Sequence, residues 1–447
     1  MIDLRPILKA IRVQNFKSLK NLNVTLKSFN VIVGKNASGK TNFIELFKFL
    51  KNALIYERRP YVPFIEWWNY RNIVWKNDET LPIIIGFNCD CEDFNIDYEV
   101  VFSLISGSFT ILSEKLIIDN ILNITREGQI IKINHDEKFL LKHTKNKKSF
   151  LNMYKDAFPI YRRETEKKEF TWEEVLNQTI EIPADFSNLI NYNFRPFWGR
   201  VAERNLNIMT YFISEPKNNF RIILPRIKEE ETFRPHNIFN ELKDAISSIT
   251  ILKHPSIKEV KSPKKPRRED ILLEDSTNLN SILYYWFLEK SGKLPDRIES
   301  ALLELFPNVQ IRPILTDEGN VYIKMYEDGV ELDPPSMPDG LFKILSILSA
   351  IETNPAVLAI DEIENSLYAE ALEYIIDELK SSETTVIITT HSPLVVDIIN
   401  LDELFIIEKS IEGTIFNQIK NPDEVKEKLR KLKLTQSESW IYGELIA

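Results

Sequence analysis

Eight consecutive residues, Gly34-Lys35-Asn36-Ala37-Ser38-Gly39-Lys40-Thr41, fit the pattern G-x-x-x-x-G-K-[ST] at every position. Glycines at that spacing let a backbone wrap so that several N–H groups converge on phosphate oxygens. Lys40 supplies a cation for the β- and γ-phosphates, and the Thr41 hydroxyl supplies a ligand for Mg²⁺. The helix that follows, entered through Thr41 and Asn42, aims its positive end at the same anion. The whole chain holds only 12 glycines in 447 residues, well under the usual share of about 7%. Two of them at the required spacing are therefore informative.

A second chemical group lies near the other end of the chain. The apolar run Ala356-Val357-Leu358-Ala359-Ile360 ends in Asp361-Glu362. A carboxylate at the carboxyl end of a buried parallel strand sits where open α/β sheets bind ligands. Asp361 is placed to hold Mg²⁺. Glu362 is placed to orient or deprotonate an attacking water. Further on, Val386-Ile387-Ile388-Thr389-Thr390 runs into His391-Ser392-Pro393. A neighbouring strand of the same sheet delivers His391 to the same crevice, as donor to and sensor of a γ-phosphate. Asp339-Gly340 opens the apolar helix LFKILSILSAI, and a helix N-terminus there is an anion site in its own right. The other four histidines, His135, His143, His236 and His254, have no partner spacing and read as surface residues.

These residues need elements to carry them. Residues 11–16, 22–26 and 29–33 read as strands, and 41–55 as an amphipathic helix. Residues 82–133 hold several β-rich runs and read as an antiparallel lobe. The last third alternates between strands near 309–314, 321–326, 356–360, 385–389 and 403–407 and helices at 341–352 and 367–380. Strands alternating with helices imply a parallel sheet with helices on its faces. Lys40 and Asp361 stand near opposite ends of the sequence, so the sheet must be assembled from both ends around an inserted lobe. The expected division is 1–134, carrying the phosphate loop and the β lobe; 135–270, an inserted, charged and largely helical domain; and 271–447, carrying the other site residues.

Composition narrows the class. Apolar residues are 43% and charged residues 28%, ordinary for a globular chain. The net charge of −9 excludes a uniformly basic nucleic-acid coat, so any DNA contact must be a local patch. Two runs qualify: Lys261, Lys264, Lys265, Arg267 and Arg268, and Lys426, Lys428, Arg430, Lys431 and Lys433. Each also has acids nearby, as a solvated face would. No apolar run is long enough for a membrane helix. Two cysteines, Cys89 and Cys91, cannot close a zinc site, and fit a reducing cytoplasm.

Together IRVQNFKSLKNLNV, GKNASGKTNF, the Asp-Gly-led helix, AVLAIDEIENSL and TTHSP resemble the ABC-type ATPases of the RecF/SMC/OLD group. The sequence looks most like the stand-alone AAA-type ATP-binding proteins of prokaryotes, some of which act in antiphage and DNA-maintenance systems. The resemblance spans about residues 7–55 and 275–410. It implies an α/β fold, a P-loop NTPase head of ABC type, with ATP and Mg²⁺ as cofactors. It also implies a homodimer or higher oligomer in which Lys40, Thr41, Asp361, Glu362 and His391 of one subunit face the segment Ser336 to Gly340 of the other. Glu364-Asn365 would fall in the loop crossing that interface. Family members carry a serine immediately before the Asp-Gly; this chain has Pro338, with Ser336 two residues off. The glutamine loop is not placed, and Phe16 and Arg12 are the candidates for the adenine contact.

The expectation is an Mg²⁺-dependent, cytoplasmic ATPase that dimerises around ATP. DNA and a separate effector protein such as a nuclease are candidate partners, and no membrane is expected. The alternative is an ATP-gated scaffold that hydrolyses little and holds such an effector. Pro338 motivates it. No Asp-x-Asp occurs, so an appended TOPRIM nuclease is not expected. A transporter subunit fits less well, given the long insertion and the FKSLKN-type start.

Overall fold

The computed structural model describes residues 6–55, 62–91, 94–105, 107–142, 147–148, 151, 171–181, 189, 195–196, 208–214, 219–225 and 238–443. The chain forms two compact units. One comprises Ser18–Lys51 and Ser248–Ala447, the other Met1–Lys17 and Asn52–Ser247.

The first of these units carries the phosphate loop, the Asp-Gly-led helix, Asp361-Glu362 and His391. From the N-terminal part come β1 (Leu19–Thr25), β2 (Phe29–Gly34) and α1 (Lys40–Leu54). The C-terminal part opens with β3 (Thr250–Leu252), α2 (Leu279–Glu289) and α3 (Asp296–Leu305), followed by β4 (Val309–Leu315), β5 (Val321–Glu327) and β6 (Val330–Leu332). It continues with α4 (Asp339–Glu352), β7 (Val357–Ile360), α5 (Ala369–Ser381), β8 (Thr385–Thr390) and α6 (Pro393–Ile398). Strands β9 (Leu404–Ser410) and β10 (Gly413–Gln418) and helices α7 (Pro422–Leu432) and α8 (Gln436–Ile441) complete it.

The central sheet runs β3-β7-β8-β2-β9-β10. All of these pairings are parallel except β9 with β10. A strand flanked on both edges and covered on both faces must be apolar throughout. FNVIVG of β2 meets that condition, with all six residues buried. The Asn30 side chain is accommodated by donating to Lys27 O (2.7 Å) and Val386 O (2.9 Å). Helix α4 is buried without a break from Leu341 to Ile351, as a helix apolar around its circumference must be. It shares one core with Val31, Val33, Leu358, Ile360 and Ile388. Strands β4, β5 and β6 form a separate antiparallel meander. The tail docks on its own unit: Ser437 bonds Asp397 of α6 through both N–H (2.8 Å) and hydroxyl (2.7 Å), and Trp440 packs against the core.

In the other unit the strands Ile7–Phe16, Ile83–Cys91, Phe94–Ile105, Ser108–Ile118, Leu122–Glu127, Ile130–His135 and Asn177–Glu181 pair in that order, all antiparallel. This is the lobe expected over 82–133. Its buried carboxylate, Glu114, accepts from Tyr98 Oη (2.6 Å), Arg126 Nη1 (2.7 Å) and Leu189 N–H (2.9 Å). Cys89 and Cys91 form no disulfide and lie buried on one face of a strand, and burial pushes the Cys89 thiol up. The first unit is thus an α/β fold, a mainly parallel sheet layered with helices, and the second is built on an antiparallel β lobe.

Three expectations need correction. The described part of 135–270 holds strands at Asn177–Glu181, Ile208–Ser214 and Asn219–Pro225 as well as helices, so it is not largely helical as described. His135 is buried rather than on the surface, and burial lowers its pKa to about 4. Phe16 is buried and Arg12 is paired with Asp97 at 2.9 Å, so neither stands free for an adenine ring. His143 and His236 lie outside the described residues, and His254 is exposed. Among the described residues no helix is long and apolar enough to cross a membrane.

Candidate functional site

Strand register brings the motifs together. Thr390 of β8 pairs with Val33 of β2, and Ile360 of β7 pairs with Ile388 of β8. The carboxyl ends of the three strands therefore lie side by side and release the phosphate loop, His391 and Asp361 at one edge. With strands about 4.8 Å apart, β7 and β2 are separated by roughly 10 Å.

The loop from Gly34 to Thr41 uses two left-handed residues, Ala37 (φ 60°) and Gly39 (φ 112°). Gly39 is obligatory in space as well, because a Cβ there would fall on the Thr414 hydroxyl. Thr414 Oγ1 donates to Ser38 O at 2.8 Å and lies 2.8 Å from Ser18 Oγ, to which Asn42 Nδ2 donates at 2.7 Å. Strand β10 thus buttresses the loop from behind, and the side chain of Asn42 is part of that brace. Lys40 is only 6% exposed. Its Nζ donates to Gly34 O (2.9 Å) and Lys35 O (3.3 Å). Burial lowers its pKa, opposed by the carboxylates of Asp361, Glu362 and Glu364. The lysine of the loop and the downstream acids therefore share one electrostatic field.

Thr389 organises the acids. Its hydroxyl donates to Asp361 Oδ1 at 2.6 Å and accepts from Glu362 N–H at 2.8 Å. Glu362 sits at φ 50°, a left-handed conformation that a non-glycine residue holds only when its surroundings impose it. Its carboxylate accepts from Asn365 Nδ2 at 2.7 Å and stands 3.9 Å from His391 Nε2. Glu364 accepts from Thr390 Oγ1 (2.8 Å) and from the N–H of His391 (2.6 Å). The loop after β7 is thereby tied to the end of β8 at both threonines.

Helix α4 begins against that loop. A Cβ on Gly340 would lie 2.6 Å from Ser366 O, and Ser366 is itself left-handed at φ 66°. Lys261 fixes the approach: its Nζ donates to Met337 O (2.7 Å), pairs with Asp339 (2.8 Å) and lies over the Phe342 ring (5.5 Å). Ser336, Pro338 and Asp339 are exposed. Lys261 thus belongs to this segment rather than to a free basic patch. Lys264 pairs with Glu259, Arg268 with Glu289 and Lys431 with Glu427, as expected of solvated faces.

The donor set fits a triphosphate with a divalent cation. The first N–H groups of α1 have no intrahelical acceptor, Ser38 Oγ is buried without a partner, and Lys40 faces the carboxylates. Among the described residues no group of three or more His, Cys, Asp or Glu side chains is arranged to hold a metal by itself. A separate cavity of about 450 Å³, lined by Phe287, Leu302, Val309 and Arg312 among others, shares no residue with this cluster. Thr389, Thr390, Thr414, Ser18 and Lys261 escape a reading of motifs. A pair of threonines closing an otherwise apolar strand was the available signal for the first two.

A family model described as "AAA domain, putative AbiEii toxin, Type IV TA system" matches residues 29–81 and 177–397, more than half of the chain. No curated protein matches it. Solved structures similar to this chain include an SMC head bound to the C-winged helix domain of ScpA, at 11% identity and TM-score 0.42, covering 92% of this chain and 97% of that one. The SMC head domain from Thermotoga maritima is similar at 11% identity and TM-score 0.37, covering 93% and 99%. The Smc head with an extended coiled coil, bound to the C-terminal domain of ScpA derived from Pyrococcus furiosus, is similar at 11% identity and TM-score 0.43, covering 95% and 100%.

Proposed function

The chain belongs to this AAA-domain family, and from that premise we propose that it binds ATP with Mg²⁺ and hydrolyses it. The observation that carries the reading is the meeting of Gly34–Thr41, Asp361-Glu362 and His391 at the carboxyl edge of neighbouring strands. Backbone N–H groups of Ser38 to Asn42 and the Lys40 ammonium hold the phosphates. Lys40 reaches them by leaving the carbonyls of Gly34 and Lys35. Thr41 and Asp361 would hold Mg²⁺, which when bound neutralises charge on the β- and γ-oxygens. Glu362 takes the proton of the attacking water, and release of the Asn365 amide frees the carboxylate for that task. His391 donates toward the γ-phosphate from the end of β8.

The segment Ser336 to Gly340, exposed at Ser336, Pro338 and Asp339, is the surface a second copy would use to close the site in trans. A role in antiphage defence or DNA maintenance is part of the same reading; the family description itself names a putative toxin of a Type IV TA system. Cytoplasmic placement is part of the same reading. The second reading, an ATP-gated scaffold that holds an effector such as a nuclease, is favoured by Pro338, which removes the hydroxyl expected beside Asp339.

The test is ATP turnover by the purified chain with Mg²⁺ or EDTA, alone and with DNA. Glu362→Gln is expected to keep nucleotide binding while losing turnover by ~100-fold or more, and Lys40→Ala to lose affinity. Wild-type turnover in Glu362→Gln rejects the assigned base. Robust basal turnover of the wild type rejects the scaffold.

A further inference from the structure

One charged residue lies within the buried stretch of α4. Lys343 is 1% exposed, and its Nζ has no hydrogen-bond partner among the described residues. Burying an ammonium without a partner is costly, and an apolar side chain of similar length would fill the same volume. Packing alone does not explain a lysine here. The groups whose charge acts on it are Glu364, Asp361 and Glu362, in that order, and they oppose the lowering that burial causes.

The same three carboxylates act on Lys40. Two buried lysines, one on the phosphate loop and one on α4, therefore serve a single acidic cluster, and neither forms a direct ion pair with it here. Lys40 is held by Gly34 O and Lys35 O. Among the described residues the carboxylate of Glu364 is held by Thr390 and the N–H of His391. A shift of Lys40 toward phosphate would leave the cluster with Lys343 as its resident cation. The start of the same helix abuts Ser366 in the same loop at Gly340, so α4 and the loop 361–366 are in direct contact.

We propose that Lys343 is a positioning residue that engages Glu364 once Lys40 turns to nucleotide, locking the loop 361–366 and with it the Glu362 carboxylate. The inference rests on the ATPase reading and adds a link within one subunit between its acidic cluster and its own α4 N-terminus. Lys343 touches no substrate; it acts through Glu364.

The experiment uses the full chain with Lys343→Met, Lys343→Arg, Glu364→Gln and the Lys343→Met/Glu364→Gln double variant. Steady-state ATPase kinetics and amide hydrogen exchange over 361–366, with and without ATP, are the readouts. Lys343→Met should lower kcat by about 10-fold or more with KM and ATP affinity unchanged. Lys343→Arg should recover most of the loss, and the double variant should be no slower than the slower single variant. ATP should protect 361–366 in the wild type and not in Lys343→Met. Wild-type kcat in Lys343→Met, a change confined to KM, or losses that multiply in the double variant overturn the proposal. If Lys343→Met does not fold, Glu364→Gln and Lys343→Arg carry the test: Glu364→Gln must lower kcat without KM and lose the ATP protection, while Lys343→Arg must keep both. A wild-type chain that neither binds nor turns over ATP rejects the ATPase reading and this inference together. An active wild type with an indifferent Lys343→Met rejects this inference alone.

Discussion

A single hydroxyl sets the two acids at the strand edge. Thr389 gives its proton to Asp361 and takes one from the Glu362 N–H. Thr389→Val keeps the shape and removes both bonds, leaving two polar groups without partners at about 1–3 kcal/mol. Turnover at saturating ATP is expected to fall about tenfold or more, with nucleotide affinity nearly unchanged and Thr389→Ser restoring activity. Equal kcat in Thr389→Val would show that the acids hold themselves. Residue chemistry of the local kind was legible in the sequence: the phosphate loop and the Asp-Glu pair announce themselves by spacing within one turn or one strand end. The work of Thr389, Thr414 and Lys343 was not, because it depends on which distant strand or helix lies alongside. No window of sequence contains β10 and Gly39 together.

At the scale of elements, α4 is the part with the narrowest tolerance. Gly340→Ala places a methyl 2.6 Å from the backbone oxygen of Ser366. Helix propensity favours alanine by at most about 1 kcal/mol, and less in the first turn. Overpacking against backbone costs about 1–3 kcal/mol, so net destabilisation is expected, read as a lower urea midpoint. A second expectation concerns pH. Burial lowers the pKa of Lys343 from 10.5 to about 8 in the folded chain, against the pull of Glu364, Asp361 and Glu362. Between those values the unfolded chain keeps a proton that the folded chain has released, so stability rises with pH across that window. Below about 8 the buried charge is present and its cost is constant. The stability of Lys343→Met relative to wild type should therefore shrink as pH climbs from 8 to 10.5, by up to about 3 kcal/mol. Lys40, also lowered by burial, contributes equally to both chains. Parallel lines across that range would contradict the assignment. The helix itself was plain from LFKILSILSAI, whereas the complete burial of the lysine inside it was not.

For the molecule as a whole, ATP with Glu362→Gln is expected to double the mass seen by light scattering after gel filtration, and Lys40→Ala to remain at the smaller mass. A Glu362→Gln chain of unchanged mass with bound ATP would favour the scaffold reading without a dimer. That two distant segments must meet was legible from the placement of the motifs, since neither half of the site can act alone. The boundary of each compact unit was not, because the units exchange the chain at Lys17–Ser18, Lys51–Asn52 and Ser247–Ser248, inside stretches with no linker composition. The central position of β2 has a consequence for biosynthesis. Both strands that flank it, β8 and β9, are made roughly 350 residues later, which at 5–20 residues per second is on the order of 20–70 s. Through that interval a largely apolar segment leaves the ribosome without its flanking strands. Newborn chains should therefore depend on a holding chaperone, and a stalled product ending before Thr385 should aggregate rather than bind nucleotide.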